Sequence, residues 1–428
     1  MTVAPSRMTL FWQLWLAAIV FVFPIPHTIG LRNLLILAGL VVLLWTSRHT
    51  LPRLAAWLKP AALWLLALTS WIVFHSAAVA SAPSMALDQF RANWLMPLLI
   101  AFAGAWAVVQ LPRQRAAQAV TAALSAHMLG LLAWQFKLWL SANAWPFKAT
   151  PFAAYDYHGT LNSFFLTLLV VDRLFWLLEK YSPLALGRRA GWALLLLSLV
   201  SDVALQSRNS SVITVSLLLA VSVVLLNGRL RDWRVVAAAM GLAAVIGAGS
   251  ISFDDRWQGL RESVATGWAS PSSCWLSNDA VTPCLAPSGA IPEESAYLRA
   301  AWTREAIGLI AAHPMGIGFG HDAFGRGLAL KYGHGGFGSS HSGWLDFALG
   351  TGLAGLALLL ATATVATRSC WLQFRQRQDA EALLLAFFVS AYMLRCLLDG
   401  HLSGWRLGLF AFICGVLIGS MRERSSER

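Results

Sequence analysis

Residues 295–320 read SAYLRAAWTREAIGLIAAHPMGIGFG, and residues 339–356 read SSHSGWLDFALGTGLAGL. A glycine-rich link joins the two stretches, and together they form the one long hydrophilic connection of a very hydrophobic chain. Basic residues, a turn rich in proline and glycine, and a histidine at the start of a predicted helix are gathered here. A polar, structured connection beside membrane spans indicates a reaction at the membrane surface on an anionic lipid.

The composition of the chain indicates an integral membrane protein. Of the 428 residues, 57% are hydrophobic and only 12% are charged, and the mean hydropathy is +0.62. Soluble domains contain about 25% charged residues. Long unbroken apolar runs favour spanning helices over an outer-membrane barrel, which would show short alternating strands. Residues 10–24 are followed by another span rather than by a cleavage site, so no cleavable signal peptide is predicted.

Hydropathy predicts an all-α polytopic protein with about twelve transmembrane helices, several of them shorter than the roughly 20 residues that cross a bilayer. One long loop separates the ninth span from the tenth. The predicted parts are helices 1–9 at residues 1–252, a loop with amphipathic helices at 253–340, and helices 10–12 with a short tail at 341–428. The predicted spans lie near residues 9–24, 30–46, 60–80, 94–110, 117–138, 160–178, 190–206, 209–226, 233–252, 341–367, 380–396 and 403–420.

Positive charges predict the orientation of these spans. With a cytoplasmic amino terminus, the cytoplasmic side carries most of the lysines and arginines, as the positive-inside rule requires. This distribution accounts for most of the net charge of +12 without a nucleic-acid partner. Both termini are then cytoplasmic, and the 253–340 loop faces outward, away from ATP and cytoplasmic sugar nucleotides. The predicted cytoplasmic cations are Arg48, Arg53, Lys59, Arg113, Arg115, Lys180, Arg188, Arg189, Arg229, Arg231, Arg234, Arg368, Arg375, Arg377, Arg422, Arg424 and Arg428.

Two cysteines agree with an outward loop. Cys274 and Cys284 lie in the segment PSSCWLSNDAVTPC, flanked by Pro271 and Pro283. In an oxidising compartment they would form a disulfide that closes a small loop; the alternative is two unpaired thiols. The other three cysteines are isolated, and no cysteine spacing indicates a metal site.

His341 is the sharpest candidate for a catalytic residue. Ser339 and Ser340 precede it as candidate helix caps, which would place His341 in the first turn of a membrane helix. The positive end of the helix dipole disfavours a second positive charge at that point. A neutral imidazole at the outer surface can act as a general base. The alternative is an interfacial histidine hydrogen-bonded to a backbone carbonyl.

Arginines form a second group of candidates. Arg208 lies in QSRNSS, a tight outer connection before a predicted helix, where exposed N–H groups and a guanidinium would bind phosphate. Arg299 and Arg304 lie on a predicted helix at 292–312, whose apolar face would lie in the membrane interface. They point about 140° apart, so one would face a ligand and the other lipid headgroups or Glu305. Snorkelling to the interface is the alternative for each arginine.

A further charged group lies near the outer end of the eleventh predicted span. Arg395 and Asp399 are one helical turn apart, and His401 follows them. Charges at this depth are costly and usually paired, so an internal salt bridge between Arg395 and Asp399 is predicted. The sequence leaves open whether this pair is structural or forms one wall of an active site.

Three motifs, taken in order, resemble the O-antigen ligase/polymerase superfamily: Arg299-x-x-Trp302, HPMGIGFG at 313–320, and His341-Ser-Gly-Trp-Leu followed by GTGLAGL. The signature covers about 60 residues, and the span layout, the outer loop and the SRNSS turn extend the resemblance over most of the chain. The length and the single loop are most similar to O-antigen ligase. Ser342 stands where the family often has asparagine, which puts a role of that neighbour in doubt.

The resemblance implies a GT-C-like enzyme of the bacterial inner membrane with its active site facing the periplasm. It implies inverting transfer of polysaccharide from undecaprenyl pyrophosphate to a sugar hydroxyl of lipid A–core, without a metal or another cofactor. Membrane lipids are then partners, and a monomer is expected. His341 would be the base, and Arg208 and Arg299 would bind pyrophosphate. Apart from the resemblance, the positions of four other residues make them candidates for supporting roles: Arg304, Arg395, Asp399 and His401.

Three other functions stay open at this point. An O-antigen polymerase uses the same donor with a second polyprenyl-linked glycan as acceptor. A protein O-oligosaccharyltransferase uses the same donor with a protein acceptor, usually with a longer outer region. A transporter of polyprenyl-linked glycans would perform no covalent chemistry; it should show internal repeats and polar residues near the bilayer midplane, whereas the polar clusters here lie at the outer end.

Overall fold

A computed structural model shows a helical protein with no strand among the residues that it describes, namely 6–47, 54–152, 155–227, 233–253, 255–257, 259–276, 284–335 and 337–421. Short 3-10 and π-helical turns connect some of the α-helices. The α-helices within these ranges are α1 Arg7–Val22, α2 Ile29–Ser47, α3 Lys59–Ala78, α4 Pro83–Phe90, α5 Met96–Val109, α6 Arg113–Ala142, α7 Tyr155–Glu179, α8 Arg188–Leu205, α9 Arg208–Asn227, α10 Trp233–Phe253, α11 Leu260–Ala269, α12 Glu294–Ala312, α13 Ala323–Tyr332, α14 Gly343–Arg377, α15 Ala380–Leu398 and α16 Gly404–Ser420.

The predicted class, an all-α polytopic membrane protein, is confirmed. Within the described chain, eight helical segments are long and apolar enough to cross a membrane, and three shorter apolar helices accompany them. A helix covers the position of each predicted span, while the number that cross the bilayer stays a prediction. The fourth predicted span begins earlier than expected, because α4 continues through a π-helical turn into α5 and gives one segment at Pro83–Val109.

The bundle buries one large apolar core and also exposes apolar side chains on its outside. Trp12, Phe165 and Phe412 are almost completely buried in that core. By contrast, Leu34 and Leu37 on α2 are each at least 60% exposed. An apolar outer surface of this kind suits contact with lipid chains, since a water-facing helix would carry polar residues there.

Most of the described lysines and arginines that were predicted to be cytoplasmic lie at one end of the bundle. Consecutive spanning helices run in opposite directions, so the start of α8 and the ends of α7 and α14 share that end. Arg368 was expected in a connection but lies inside α14, nine residues before the helix ends. The helix continues because residues 368–377 contain neither proline nor glycine. The residues Arg48, Arg53, Arg229, Arg231, Arg422, Arg424 and Arg428 lie outside the described residues.

The long loop folds into a layer over the other end of the bundle. Helices α11, α12 and α13 enclose a second apolar core that includes Trp275, Tyr297 and Phe324. The predicted helix at 292–312 is α12, but most of the apolar face that was expected to contact the membrane interface is buried inside the protein. Leu298 and Leu309 on its apolar face are buried inside the protein, because α11 and α14 pack against that face.

A disulfide joins Cys274 and Cys284, whose Cα atoms are 5.6 Å apart. The predicted pairing is therefore confirmed. The residues between them at 277–283, which include Pro283, lie outside the described part of the chain. The backbone N–H group of Cys284 also donates to the hydroxyl of Tyr297 at 3.3 Å, so the disulfide is tied to α12.

Helix α14 is interrupted at Gly352, and the loop layer contacts the membrane helices beside this interruption. Gly352 has a φ of +76°, which interrupts the helix and is favourable only for glycine. The N–H group of Ile317 donates to the Leu349 carbonyl at 2.9 Å. The N–H group of Gly318 donates to the Gly350 carbonyl at 3.1 Å. The HPMGIGFG turn therefore docks beside the break, and the segment before the break is held against the loop layer.

Candidate functional site

Two neighbouring cavities lie at the end of the bundle that the loop layer covers. We call the larger one, of about 440 Å³, the arginine cavity, because four arginines line it: Arg208, Arg256, Arg299 and Arg395. We call the smaller one, of about 240 Å³, the histidine cavity; its polar lining includes His321, His341, Asp346 and Arg406. Asp156 and Asp399 line both cavities. These two aspartates therefore mark the boundary between a cationic space and a more acidic one.

His341 does not lie in the first turn of a helix, and that prediction is wrong. It precedes the amino-terminal cap of α14, Ser342, and has a left-handed backbone with a φ of +59°. The helix-dipole argument was made for a residue inside the terminal turn, and His341 lies outside that turn. A non-glycine residue with a positive φ is strained. Contacts with the surrounding residues must therefore stabilise the His341 backbone in this conformation.

A buried carboxylate fixes the backbone around His341. Asp346 accepts hydrogen bonds from the Ser339 hydroxyl at 2.7 Å and from the Ser340 N–H group at 2.9 Å. The Ser339 oxygen in turn accepts the N–H group of His341 at 3.0 Å. Ser339 and Ser340 therefore do not cap the helix as predicted. They belong to a turn that Asp346 holds and that presents the histidine side chain.

The His341 ring is positioned from two sides. It stacks on Trp302 with the ring centroids 5.1 Å apart and an angle of 12° between the planes. Its Nδ1 atom lies 3.6 Å from Oδ1 of Asp399, and the His341 side chain remains 44% exposed. With Nδ1 directed at a carboxylate, Nε2 is the nitrogen available to a ligand. This arrangement suits a histidine that accepts a proton at Nε2.

Asp399 connects His341 to the arginine cavity. Its Oδ1 accepts the N–H group of Gly400 at 3.0 Å, and its Oδ2 accepts the Asn209 amide at 3.4 Å. Burial alone would raise the pKa of Asp399. The contact with His341 and the charges of nearby arginines, Arg299 among them, outweigh burial and hold that pKa well below its ordinary value. Asp399 is therefore a carboxylate at neutral pH.

Arg299 faces the arginine cavity and completes this chain of contacts. Its Nη1 donates to the Leu398 carbonyl at 3.0 Å and to the Asn209 side-chain oxygen at 3.4 Å. A continuous chain thus runs from His341 through Asp399 and Asn209 to Arg299. The fold brings together the predicted base and a predicted phosphate ligand, although about 40 residues separate them in the sequence.

Arg208 also lines the arginine cavity, as the first residue of α9. Its guanidinium donates to Glu293 at 3.0 Å and to the Arg256 carbonyl at 3.1 Å. Both partners of the ion pair are mostly buried, at 14% and 16% exposed. Glu293 also caps α12 by accepting the N–H group of Ala296 at 2.7 Å. One carboxylate therefore fixes both the arginine and the start of the neighbouring loop helix.

Arg304 does not line either cavity. Its guanidinium donates to the carbonyl oxygens of Trp268 and Ser270 at 2.5 and 2.6 Å, at the end of α11. The expected partner of Arg304, Glu305, instead binds Lys331 at 2.7 Å. Glu305 is buried within the loop layer, where it faces Lys331 on α13 rather than Arg304. Arg304 therefore links α12 to the end of α11 through these two hydrogen bonds.

The predicted ion pair between Arg395 and Asp399 is not formed, although both residues are described. Helix α15 ends at Leu398, and Asp399 has an extended backbone, so the spacing of one helical turn does not apply. Arg395 is completely enclosed; it donates to His401 at 2.9 Å and to Ser210 at 3.2 Å. Burial and the Arg395 charge hold the pKa of His401 well below its ordinary value.

The neutral His401 ring connects the two residues that were expected to pair. Its Nε2 accepts from Arg395, so its proton is on Nδ1, which lies 3.8 Å from Asp399. Arg395 also donates to Thr160 on α7 at 3.3 Å. This network lies directly beneath the cavities, and it holds the ends of α7, α9 and α15 in a fixed arrangement.

Six site residues were not found from the sequence: Asp156, Asn209, Arg256, His321, Asp346 and Arg406. Asp156 and Arg406 form an ion pair between the starts of α7 and α16. Asn209 stands inside the SRNSS turn, and Asp346 follows the histidine motif. For the two aspartates, the sequence did contain a signal, since a carboxylate at the start of an apolar run marks the start of a helix. That signal does not show which residue of another helix the carboxylate contacts.

Comparison with known proteins adds one match. Residues 186–360 match the family model that is described as O-Antigen ligase. No curated protein matches the chain. The matched segment contains Arg208, Arg299 and His341, whereas Asp156 precedes it and Asp399 follows it.

Proposed function

We propose, since the chain belongs to the O-antigen ligase/polymerase superfamily, that it acts as an O-antigen ligase. In this proposal it transfers polysaccharide from undecaprenyl pyrophosphate to a sugar hydroxyl of lipid A–core. The reaction is a metal-independent glycosyl transfer that inverts the anomeric carbon. The apolar helices and the charge distribution support a multi-pass protein of the inner membrane whose two cavities face the periplasm.

The arginine cavity suits the pyrophosphate of the donor. Four arginines and two aspartates line it, and Glu293 pairs with one of the arginines, Arg208, so these groups together leave one excess positive charge. Planar guanidinium groups bind phosphate oxygens in pairs. The start of α9 at Arg208 adds the positive end of a helix to the same wall. As the bond to the sugar breaks, these groups stabilise the charge that develops on the leaving pyrophosphate.

His341 supplies the base for the acceptor. The acceptor oxygen forms a bond to the anomeric carbon while the bond from that carbon to the phosphate oxygen breaks. The electron pair of the broken bond leaves with undecaprenyl pyrophosphate, and the hydroxyl proton moves to Nε2 of His341. Asp399, beside Nδ1, then stabilises the imidazolium that forms. Attack from the face opposite the leaving group inverts the anomeric carbon.

An apolar cavity beside the arginine cavity suits the polyprenyl chain. It has a volume of about 480 Å³ and lies between α8 and α10, where Leu199, Val203, Leu242 and Ile246 line it. Gln206 lines this cavity and the arginine cavity. A lipid in the first cavity would therefore present its pyrophosphate to the arginines in the second.

The observation that carries the proposal is the contact chain from His341 through Asp399 and Asn209 to Arg299 at the boundary of the two cavities. The test incubates purified protein with a polyprenyl-pyrophosphate glycan and one of three acceptors: lipid A–core, a peptide, or a second polyprenyl-linked glycan. We expect a glycosylated lipid A–core. His341→Gln should form no product while it still binds the donor, since a positioned base contributes about 10²–10⁴-fold.

Each other result identifies a different function. A glycosylated peptide would indicate a protein O-oligosaccharyltransferase, and an elongated polyprenyl-linked glycan would indicate a polymerase. Movement of the donor across vesicles without any covalent product would indicate a transporter. Full-speed transfer by His341→Gln would remove the base from the mechanism whichever acceptor is used.

A further inference from the structure

The histidine cavity has a charge balance opposite to that of the arginine cavity. Its lining includes three aspartates, Asp156, Asp346 and Asp399, and one arginine, Arg406. The adjoining arginine cavity contains four arginines and two aspartates. A pyrophosphate is therefore attracted to one side of the boundary and repelled from the other. The ligand of the histidine cavity should carry hydroxyl groups rather than phosphate close to His341.

Two of the three carboxylates in the histidine cavity are already used within the protein. Asp346 holds the turn before His341, and Asp399 contacts His341 and Asn209. Both have low exposure, since Asp346 is buried and the Asp399 side chain is 15% exposed. Neither has enough free acceptor surface to bind a ligand strongly.

Asp156 differs from them in exposure and in partner. Its side chain is 34% exposed, and it forms an ion pair with Arg406, which is 21% exposed. The pair thus presents acceptor oxygens and donor N–H groups side by side. A carboxylate and a guanidinium in this arrangement can bind adjacent hydroxyl groups of a sugar, one as acceptor and the other as donor.

Aromatic rings fix the position of this ion pair. Tyr157 and Trp405 stack with their centroids 4.9 Å apart and an angle of 21° between the planes. The Arg406 guanidinium lies 5.3 Å from the centre of the Tyr157 ring and 5.4 Å from that of Trp405. Because these neighbours restrain Arg406, little side-chain entropy is lost when the pair binds a ligand.

We propose that Asp156 and Arg406 bind the hydroxyl groups of the acceptor sugar and select a neutral aldose residue over a phosphorylated one. This inference rests on the proposed function, because it assigns the acceptor of that reaction to the histidine cavity. Asp156 binds sugar hydroxyls on the histidine side of the boundary, and its negative charge also disfavours phosphate there. The opposite charges of the two cavities would therefore direct the pyrophosphate donor to the arginine cavity and the neutral acceptor sugar to the histidine cavity.

The test measures acceptor and donor kinetics separately for Asp156→Asn. With saturating donor, the KM for lipid A–core should rise about tenfold or more, because a charged hydrogen-bond acceptor is lost. The KM for the donor should not rise, since the substitution removes a negative charge beside the arginines. Asp156→Glu should recover part of the acceptor affinity. Asp88→Asn, in an exposed ion pair with Arg91 outside both cavities, is the matched control and should behave like wild type.

Two further measurements keep the inference testable. With matched lipid-linked acceptors that end in a neutral or a phosphorylated hexose, Asp156→Asn should reduce the preference for the neutral acceptor by about tenfold. Direct binding of lipid A–core to wild type and to Asp156→Asn needs no turnover and separates the two proposals: equal binding by both proteins would contradict the inference alone, whereas no binding by wild type would contradict the proposed function together with the inference. If Asp156→Asn and Arg406→Gln fold normally but leave acceptor KM, acceptor binding and phosphate discrimination unchanged, the inference is wrong.

Discussion

Replacement of Asp399 by asparagine tests how the site holds its base. The substitution keeps the shape of the side chain and an oxygen for the Gly400 N–H group, but it removes the negative charge beside Nδ1 of His341. Opposite unit charges about 4 Å apart interact with about 4 kcal/mol near a protein surface. Because the His341 side chain is 44% exposed, screening leaves about 1 kcal/mol of this for the imidazolium. The expected decrease in kcat is then about fivefold.

The assay for Asp399→Asn is single-turnover transfer from prebound donor to lipid A–core, with the thermal midpoint in detergent as a measure of folding. Prebound donor separates the chemical step from donor binding, which Asp399 also influences through Asn209. His341→Gln serves as the inactive reference. A variant that folds and reacts within twofold of the wild-type rate, while His341→Gln is inactive, would refute the role of Asp399 beside the base.

Three other predictions concern charge, the disulfide and pH. Arg299→Lys should lower transfer by about 100-fold or more because the planar fork is lost, whereas Arg304→Ala should keep transfer and lose about 1–2 kcal/mol of stability with its two carbonyl contacts; the reverse order of activity would contradict the assignment. Peptide mass spectrometry should find Cys274 linked to Cys284, and the double serine variant should lose about 2–3 kcal/mol but keep activity; free thiols in protein from oxidised membranes would contradict this. Because the pKa of His401 in the fold lies well below its ordinary value, only the unfolded chain takes up a proton there below about pH 6.5. The thermal midpoint should therefore fall between pH 7.5 and 5.5, and fall less in His401→Gln; equal losses in both proteins would exclude this cause.

Hydropathy was enough to predict the helices because a spanning segment must satisfy its own backbone and face lipid with apolar side chains. The same reasoning failed for α12. An amphipathic helix buries its apolar face against whatever is nearby, and the sequence does not say whether that is lipid or protein. Leu298 and Leu309 pack beneath α11 and α14 rather than against a membrane.

The sequence identified His341 as a candidate base, but it did not predict the contacts that position this residue. Serines before an apolar run are typical helix caps, yet Ser339 and Ser340 bind Asp346 in a turn. The spacing between Arg395 and Asp399 predicted a helical ion pair, but the helix ends one residue before Asp399. In both cases the prediction assumed a regular helix through a point where the chain leaves it.

The site residues lie where membrane helices begin or end, for a physical reason. A charge in the apolar middle of a span is costly, so charged groups concentrate at helix ends. Because consecutive spans alternate in direction, the starts of α7, α9, α14 and α16 and the end of α15 come to the same side of the bundle. Asp156, Arg208, His341, Asp399 and Arg406 lie at those five ends. Hydropathy and the alternation of charge can therefore predict which polar residues share one side. Which of them touch depends on how the helices pack, and that arrangement places Asp156 and Asp399 at the boundary between a cationic cavity and an acidic one.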